Sequence, residues 1–258
     1  MSNSAEMPFL DHLEELRWRI IWSLGALVVG VAGGLAVLLK YEKPVLLWLQ
    51  GPILPYLHGR RLMNTHPGGG LSILMSVAII VGILFALPVI VSQVWAFLSP
   101  ALHQKEKRVI VPAMLGAVFL FICGCALSWY LVLPMTLRFL TGIGDDAFDQ
   151  MISASEYFGF ATTLVLTVGG IFELPILILL LSTFGLVTPK FLGKYRRHAL
   201  VGSFVVAAFI TPGDIFVTNV ILTILLYLLY EVSIWLSYVV FRRRERNRLA
   251  EEAAEAIA

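Results

Sequence analysis

H-A-L-V-G-S-F-V-V-A-A-F-I, the apolar run at 198–210, decides the architecture of this 258-residue chain. As a helix its thirteen residues extend about 20 Å, short of the roughly 30 Å of a bilayer's hydrocarbon core. Whether it crosses sets the number of membrane spans and the side on which everything after it lies.

That the setting is a membrane follows from composition. The chain is 59% hydrophobic and 14% charged, with a mean hydropathy of +0.86, far more apolar than a soluble domain of this size requires. Five longer apolar runs lie at 20–39, 71–98, 109–133, 157–184 and 215–241. The first is full membrane length and follows a segment of mixed charge, so it reads as a span rather than a cleavable leader.

The lysines and arginines then settle the status of 198–210. If it crosses, fourteen of the nineteen bases share one side, in the N-terminal segment, the loops before the third and fifth spans, and the tail. If it does not, the tail's five arginines change sides and the bias is lost. An excess of bases marks the cytoplasmic side. The expected fold is therefore all-α and polytopic, a single membrane domain over 1–241 with six transmembrane helices and both termini cytoplasmic. A tail at 242–258, basic and then Ala/Glu-rich, reads as weakly helical or disordered. The short fifth span predicts local bilayer thinning or a sheltered, water-reachable region around it.

Between the spans, the residues predict several local features. Phe9, Leu13, Leu16 and Ile20 recur at helical spacing, so 8–20 reads as an interfacial helix before the first span, with Glu15 and Arg19 paired one turn apart. Pro44, Pro52, Pro55 and Pro67 make 40–70 a structured cap on the outer surface. Pro88 is expected to kink the second span. The connection at 134–155 ends in S-A-S-E at 153–156, a capping box for the fourth helix, which F-E-L-P at 172–175 interrupts. Gly30 and Gly34 form a G-x-x-x-G helix-contact motif in the first span.

No nucleotide-binding P-loop and no H-E-x-x-H motif is present, and the five histidines are scattered over loops on both sides. Cys123 and Cys125, two apart on an apolar helix, point to different faces and read as packing residues. No catalytic residue, metal site, cofactor or nucleic-acid partner is expected.

The carboxylates carry the functional reading. Glu15 and Glu106 lie on a cytoplasmic face that is otherwise basic, and a carboxylate accepts two parallel N–H bonds from a guanidinium. The bland reading of each is a surface ion pair worth at most about 1 kcal/mol. Glu173 falls near mid-membrane, where an acid costs about 2.5–3.5 kcal/mol, and calls for a polar cavity or a partner. Thr162, Thr163, Thr218, Asn219 and Thr223 are its candidate hydrogen-bonding neighbours within the bundle. Glu231 has a similar claim nearer the inner end of the last span. Lys194, Arg196, Arg197 and the bases at 242–244 read as positive-inside anchors that also touch anionic lipid.

Together, H-L-E-E-L-R at 12–17, Q-V-W-A-F-L-S-P-A-L at 93–102 followed by Glu106 and Arg108, F-E-L-P at 172–175, F-V-V-A-A-F-I-T-P-G-D at 204–214 and L-Y-E at 229–231 resemble the TatC family. This family supplies the receptor subunit of the twin-arginine protein translocase. The resemblance implies a cup-shaped six-helix protein of the bacterial inner membrane or an equivalent membrane, working in a multi-copy complex with the single-span partners TatA and TatB. It implies recognition of the twin-arginine signal peptides of folded cargo and transport driven by the protonmotive force. On this chain, Glu15 and Glu106 would contact the arginines, with Arg17, Phe97 and Arg108 shaping the site. Pro52 would match a position in the periplasmic cap, Glu173 the family's intramembrane glutamate, and Ala208, Phe209 and Ile210 would lie on the partner-docking face. Gly213 stands where the family usually has a second proline, which loosens that turn. The competing reading is a secondary transporter of a small cation with Glu173 as the coupling acid, for which no inverted repeat is visible.

Overall fold

The computed structural model describes residues 7–57, 59–98, 110–143, 151–183, 185–211 and 217–255. Ten helices account for nearly all of them. Helix α1 spans Met7–Lys40 and α2 Glu42–Leu49, and a single 3-10 turn follows at Leu54–Tyr56. Helix α3 runs Gly69–Leu98, α4 Ile110–Leu127 and α5 Leu133–Gly142, the last two joined by a π-helical turn at Ser128–Val132. Then come α6 Ala154–Ile171, α7 Leu174–Thr183, α8 Pro189–Lys194, α9 Arg196–Ile210 and α10 Val217–Glu255.

Among the described residues, five segments are long and apolar enough to cross a membrane: Leu13–Lys40, Gly69–Phe97, Pro112–Gly142, Ala154–Thr183 and Val217–Arg242. Helix α9 is the sixth transmembrane element and, at 15 residues, the short one. Arg196 at its start bonds Glu231 of α10, and Ala207 near its end is buried in the cluster that holds Leu222 and Leu226. It therefore lies antiparallel to the first half of α10, over about 21 Å of that helix.

The interfacial helix expected at 8–20 is not a separate element. Helix α1 is continuous from Met7, because nothing between Pro8 and Lys40 interrupts its backbone ladder. It packs along α3 at unusually short range. A Cβ added at Gly30 would stand 2.5 Å from Gly82 O, and one at Gly34 would stand 3.1 Å from Ala78 O. The G-x-x-x-G pair is thus a helix contact, and Gly82 supplies the opposing bare backbone.

Among its described residues the segment 40–70 holds no spanning helix of its own, as expected of a cap, and Pro44 is accommodated inside the short α2. It lies in the first turn of α2, where a missing N–H has no intrahelical acceptor to lose. The cap is fastened to the bundle by Tyr157, whose hydroxyl donates to Leu49 O at 2.8 Å, and by Tyr56, which donates to Pro134 O at 3.3 Å. Trp48 stacks on Trp129 with ring centroids 5.3 Å apart. Ile53 is fully buried in the same core cluster as Trp129, and Pro52 before it is half-buried.

Helix α3 ends at Leu98, where the second span was expected to end, and runs through Pro88. Two other expected boundaries move. The third span does not end near 133 but continues to Gly142, because the π turn lets the chain pass Pro134. There Leu133 N bonds Ser128 O, five residues back, so the ladder is re-spaced just where the proline withholds a donor. The tail is helical to Glu255, as part of α10. The capping box is half realised. Ser153 is the extended N-cap of α6 but makes no side-chain cap bond. Its hydroxyl faces Thr65 Oγ1 at 3.3 Å, and its backbone forms an isolated bridge with Met63.

Cys125 and Gly169 explain why α4 and α6 approach closely. A Cβ at Gly169 would stand 2.8 Å from Cys125 Sγ, and one at Gly124 the same distance from the Phe172 ring. Neither cysteine is in a disulfide.

Candidate functional site

By the distribution of bases, the cytoplasmic ends of α1 and α3 lie side by side, and the first part of the expected site is there. Arg19 Nη2 donates to Glu15 Oε1 at 2.8 Å, the intrahelical pair read from the sequence. Arg19 Nη1 also reaches across to Gln93 Oε1 of α3 at 3.2 Å. One guanidinium fork thus links both helices, which is what its planar set of donors favours. Both members of the ion pair are about one-third exposed, so water screens it and its contribution to stability is small.

Directly below this cluster is an apolar groove of about 390 Å³ between the two helices. Leu16, Ile20, Leu24 and Leu27 form one wall, Ile90 and Val94 the other, and Arg19, Gln93 and Phe97 stand at its polar end. The structure therefore brings Glu15 and Phe97 to the same place, and Arg17 is exposed on α1 nearby. Glu106 and Arg108 lie outside the described residues. Gln93 was legible only as part of a motif. A lone amide near the end of an apolar helix was its signal, and its role comes from the facing arginine.

Glu173 occupies the turn between α6 and α7. The break arises at Pro175, which cannot donate to the carbonyl of Ile171, and the chain re-forms its ladder with Leu177 N on Glu173 O at 2.9 Å. Glu173 Oε1 is buried with no hydrogen-bond partner among the described residues. Three of the neighbours expected to satisfy it are engaged elsewhere or stand unpaired themselves. Thr163 donates to Gly159 O and Thr223 to Asn219 O, each within its own helix, and the Asn219 side chain is itself buried without a partner among the described residues. Threonines on helices meet their own i−4 carbonyls more readily than a group on another helix.

Glu231 is better satisfied. Arg196 Nη2 donates to its Oε2 at 2.9 Å and the Tyr227 hydroxyl to its Oε1 at 2.8 Å. Arg196, read from the sequence as a simple anchor, is thus also the cross-link between α9 and α10. Tyr230 donates to Leu192 O at 2.9 Å and fixes α8 against the same stretch.

On the other side of α9, Phe209 is 84% exposed and Ala208 is exposed, with Ile210 half-buried. Phe209 and Ile210 line a cleft of about 320 Å³ shared with Phe160, Leu164, Thr163 and Thr167 of α6.

The family model of TatC, the Sec-independent protein translocase protein, matches residues 11–224, a stretch that includes the α1–α3 cluster, Glu173 and α9. The chain belongs to the TatC family. It is 37% identical over 249 residues to TatC of Aquifex aeolicus (strain VF5), covering 95% of this chain and 100% of that protein. TatC of Koribacter versatilis (strain Ellin345) is 34% identical over 254 residues, covering 96% of this chain and 92% of the relative. TatCy of Bacillus subtilis (strain 168) is 33% identical over 248 residues, covering 95% and 94%. All three are Sec-independent protein translocase proteins. Among solved structures, a crystal structure of the twin arginine translocase receptor TatC superposes with a TM-score of 0.72 at 35% identity, covering 89% of this chain and 99% of that one. A second, in DDM, gives 0.73 at 36% identity, covering 88% and 99%. This TatC-family chain is accordingly a multi-pass membrane protein of a protein translocase, with a role in transport.

Proposed function

We propose that this chain is the signal-peptide receptor of a twin-arginine translocase in a bacterial inner membrane, and that Glu15 and Glu106 bind the paired arginines of folded cargo. The observation that supports this most directly is the Glu15–Arg19–Gln93 cluster. Its carboxylate and amide already hold a guanidinium, so an arginine from a signal peptide would meet acceptors arranged for its own chemistry. A signal peptide is a charged segment followed by an apolar one of 7–15 residues, and the groove below the cluster offers apolar walls for the second part. Arg19 then acts as an occupant displaced when cargo arrives, while Arg17, Phe97 and Arg108 shape the entrance. Pro52 belongs to the periplasmic cap that holds the outer ends of the helices.

TatA and TatB would dock by their single spans on the cleft around Ala208, Phe209 and Ile210, where two threonines in an apolar wall offer hydroxyls to a partner's polar group. Glu173 and Glu231 are the intramembrane acids of the assembly, which is multi-copy and uses the protonmotive force. A labelled signal peptide is expected to crosslink near Glu15 and Glu106, with loss when its arginine pair becomes lysine. Undiminished binding by a Glu15→Gln, Glu106→Gln double variant would sink the assignment. A small-cation transporter using Glu173 instead predicts substrate uptake in liposomes by this chain alone.

A further inference from the structure

The cytoplasmic ends of the helices around α10 are not level. Ser182 of α7 reaches Ser237 of α10, with hydroxyls 2.7 Å apart, whereas Arg196 at the start of α9 reaches only Glu231. Six residues separate those two levels on α10, about 9 Å of helix. Because α9 is short, α8 and the start of α9 sit below the end of α7 and leave a step in the side of the bundle.

That step is a cleft of about 470 Å³ between α8 and α10, with Lys190, Gly193 and Arg196 on one side and Trp235 and Tyr238 on the other. Trp235 and Tyr238 also line a second hollow of about 290 Å³, closed by Arg242 and Arg246. The two hollows adjoin at Trp235 and Tyr238, which line both, and make one recess. Among the described residues its bases are Lys190, Arg196, Arg242 and Arg246, and its acid is Glu231, whose two oxygens are taken up by Arg196 and Tyr227. The Arg242 guanidinium lies 5.0 Å above the Tyr238 ring, folded back toward the cleft. Trp235 is 66% exposed and Tyr238 46%, at the end of a membrane span.

We propose that this recess binds the headgroup of an anionic phospholipid. The argument is charge and depth together. The positive charge of Lys190, Arg242 and Arg246, which no acid pairs among the described residues, suits a phosphodiester. The exposed tryptophan and tyrosine suit the glycerol and upper acyl region, as in the aromatic belts of membrane proteins. The step lets a lipid of the inner leaflet sit deeper than its neighbours, which meets the mismatch created by the 15-residue α9. Free phosphate has no use for the aromatic wall, and a zwitterionic lipid offers no net charge to the bases. The site stands apart from the α1–α3 cluster and does not depend on its role in cargo binding.

The test uses the full chain in nanodiscs with phosphatidylcholine and a rising fraction of either phosphatidylglycerol or phosphatidylcholine carrying dibrominated acyl chains. Quenching of Trp235 is taken as the difference from a Trp235→Phe variant. Near a surface each base is worth roughly a fivefold preference for anionic lipid, so brominated phosphatidylglycerol is expected to half-quench at a several-fold lower fraction than brominated phosphatidylcholine. A Lys190→Gln, Arg242→Gln, Arg246→Gln variant is expected to lose that preference, and Lys190→Arg with Arg242→Lys and Arg246→Lys to keep it. Arg196 is left intact because it holds α9 to α10. Equal quenching by the two lipids in the wild-type chain overturns the proposal, as does a preference that survives the triple glutamine variant. Exclusion of both lipids from Trp235, the result expected of a protein occupant, also overturns it.

Discussion

Substituting Gly82 by alanine should separate α1 from α3 and disturb everything those helices hold. A Cβ at this position would stand 2.5 Å from Val31 Cγ2, 2.6 Å from Val31 N and 2.7 Å from Val31 Cα. Two of these three atoms are backbone, so a rotamer change at Val31 relieves only the first. Carbon contacts settle near about 3.5 Å, so the helices must part by about 1 Å. Overpacking of this kind typically costs about 1–3 kcal/mol, and a comparable lowering of the melting point, on the order of 5 °C, follows. The Arg19–Gln93 bond, already 3.2 Å long, passes out of hydrogen-bonding range with half of that displacement. The assay is thermal unfolding of purified protein in one detergent, alongside crosslinking of a labelled twin-arginine peptide near Glu15. Gly33→Ala, in α1 but with nothing within 4 Å of its added Cβ, is the matched control and should be neutral or slightly stabilising. If Gly82→Ala and Gly33→Ala melt together and crosslink alike, the reasoning that close backbone contact builds this site is refuted.

Tyr157→Phe removes the hydroxyl that donates to Leu49 O and should cost about 1 kcal/mol, seen as earlier proteolysis of the cap in right-side-out vesicles. Neither Ser182→Ala nor Ser237→Ala should cost more than about 1.7 kcal/mol, and the double variant should lose less than the two singles combined. A cycle without coupling would mean the two hydroxyls do not bond. Glu231→Gln should lower stability by no more than about 1 kcal/mol, since its partner Arg196 is half-exposed. It should nevertheless loosen α9, measured as faster amide exchange at 196–199 than in the wild-type chain.

Much of this protein was determined by its sequence alone, because the bilayer imposes length and apolarity on each span and places bases on one side. The six crossings, the break at Pro175 and the Glu15–Arg19 pair all follow from local spacing. Tertiary structure decided what local spacing does not contain. Whether Pro134 ends a helix depends on a π turn that re-spaces the ladder before it. That Gly82, and not another glycine, faces Gly30 depends on how two helices cross. The same holds for Glu231. From the sequence it was a carboxylate in an apolar helix and Arg196 an anchor in a loop, and they are one ion pair because a short helix ends where it does. A side chain's own helix fixes its height and direction, but the partner that gives it a function comes from another helix, at a distance only packing sets.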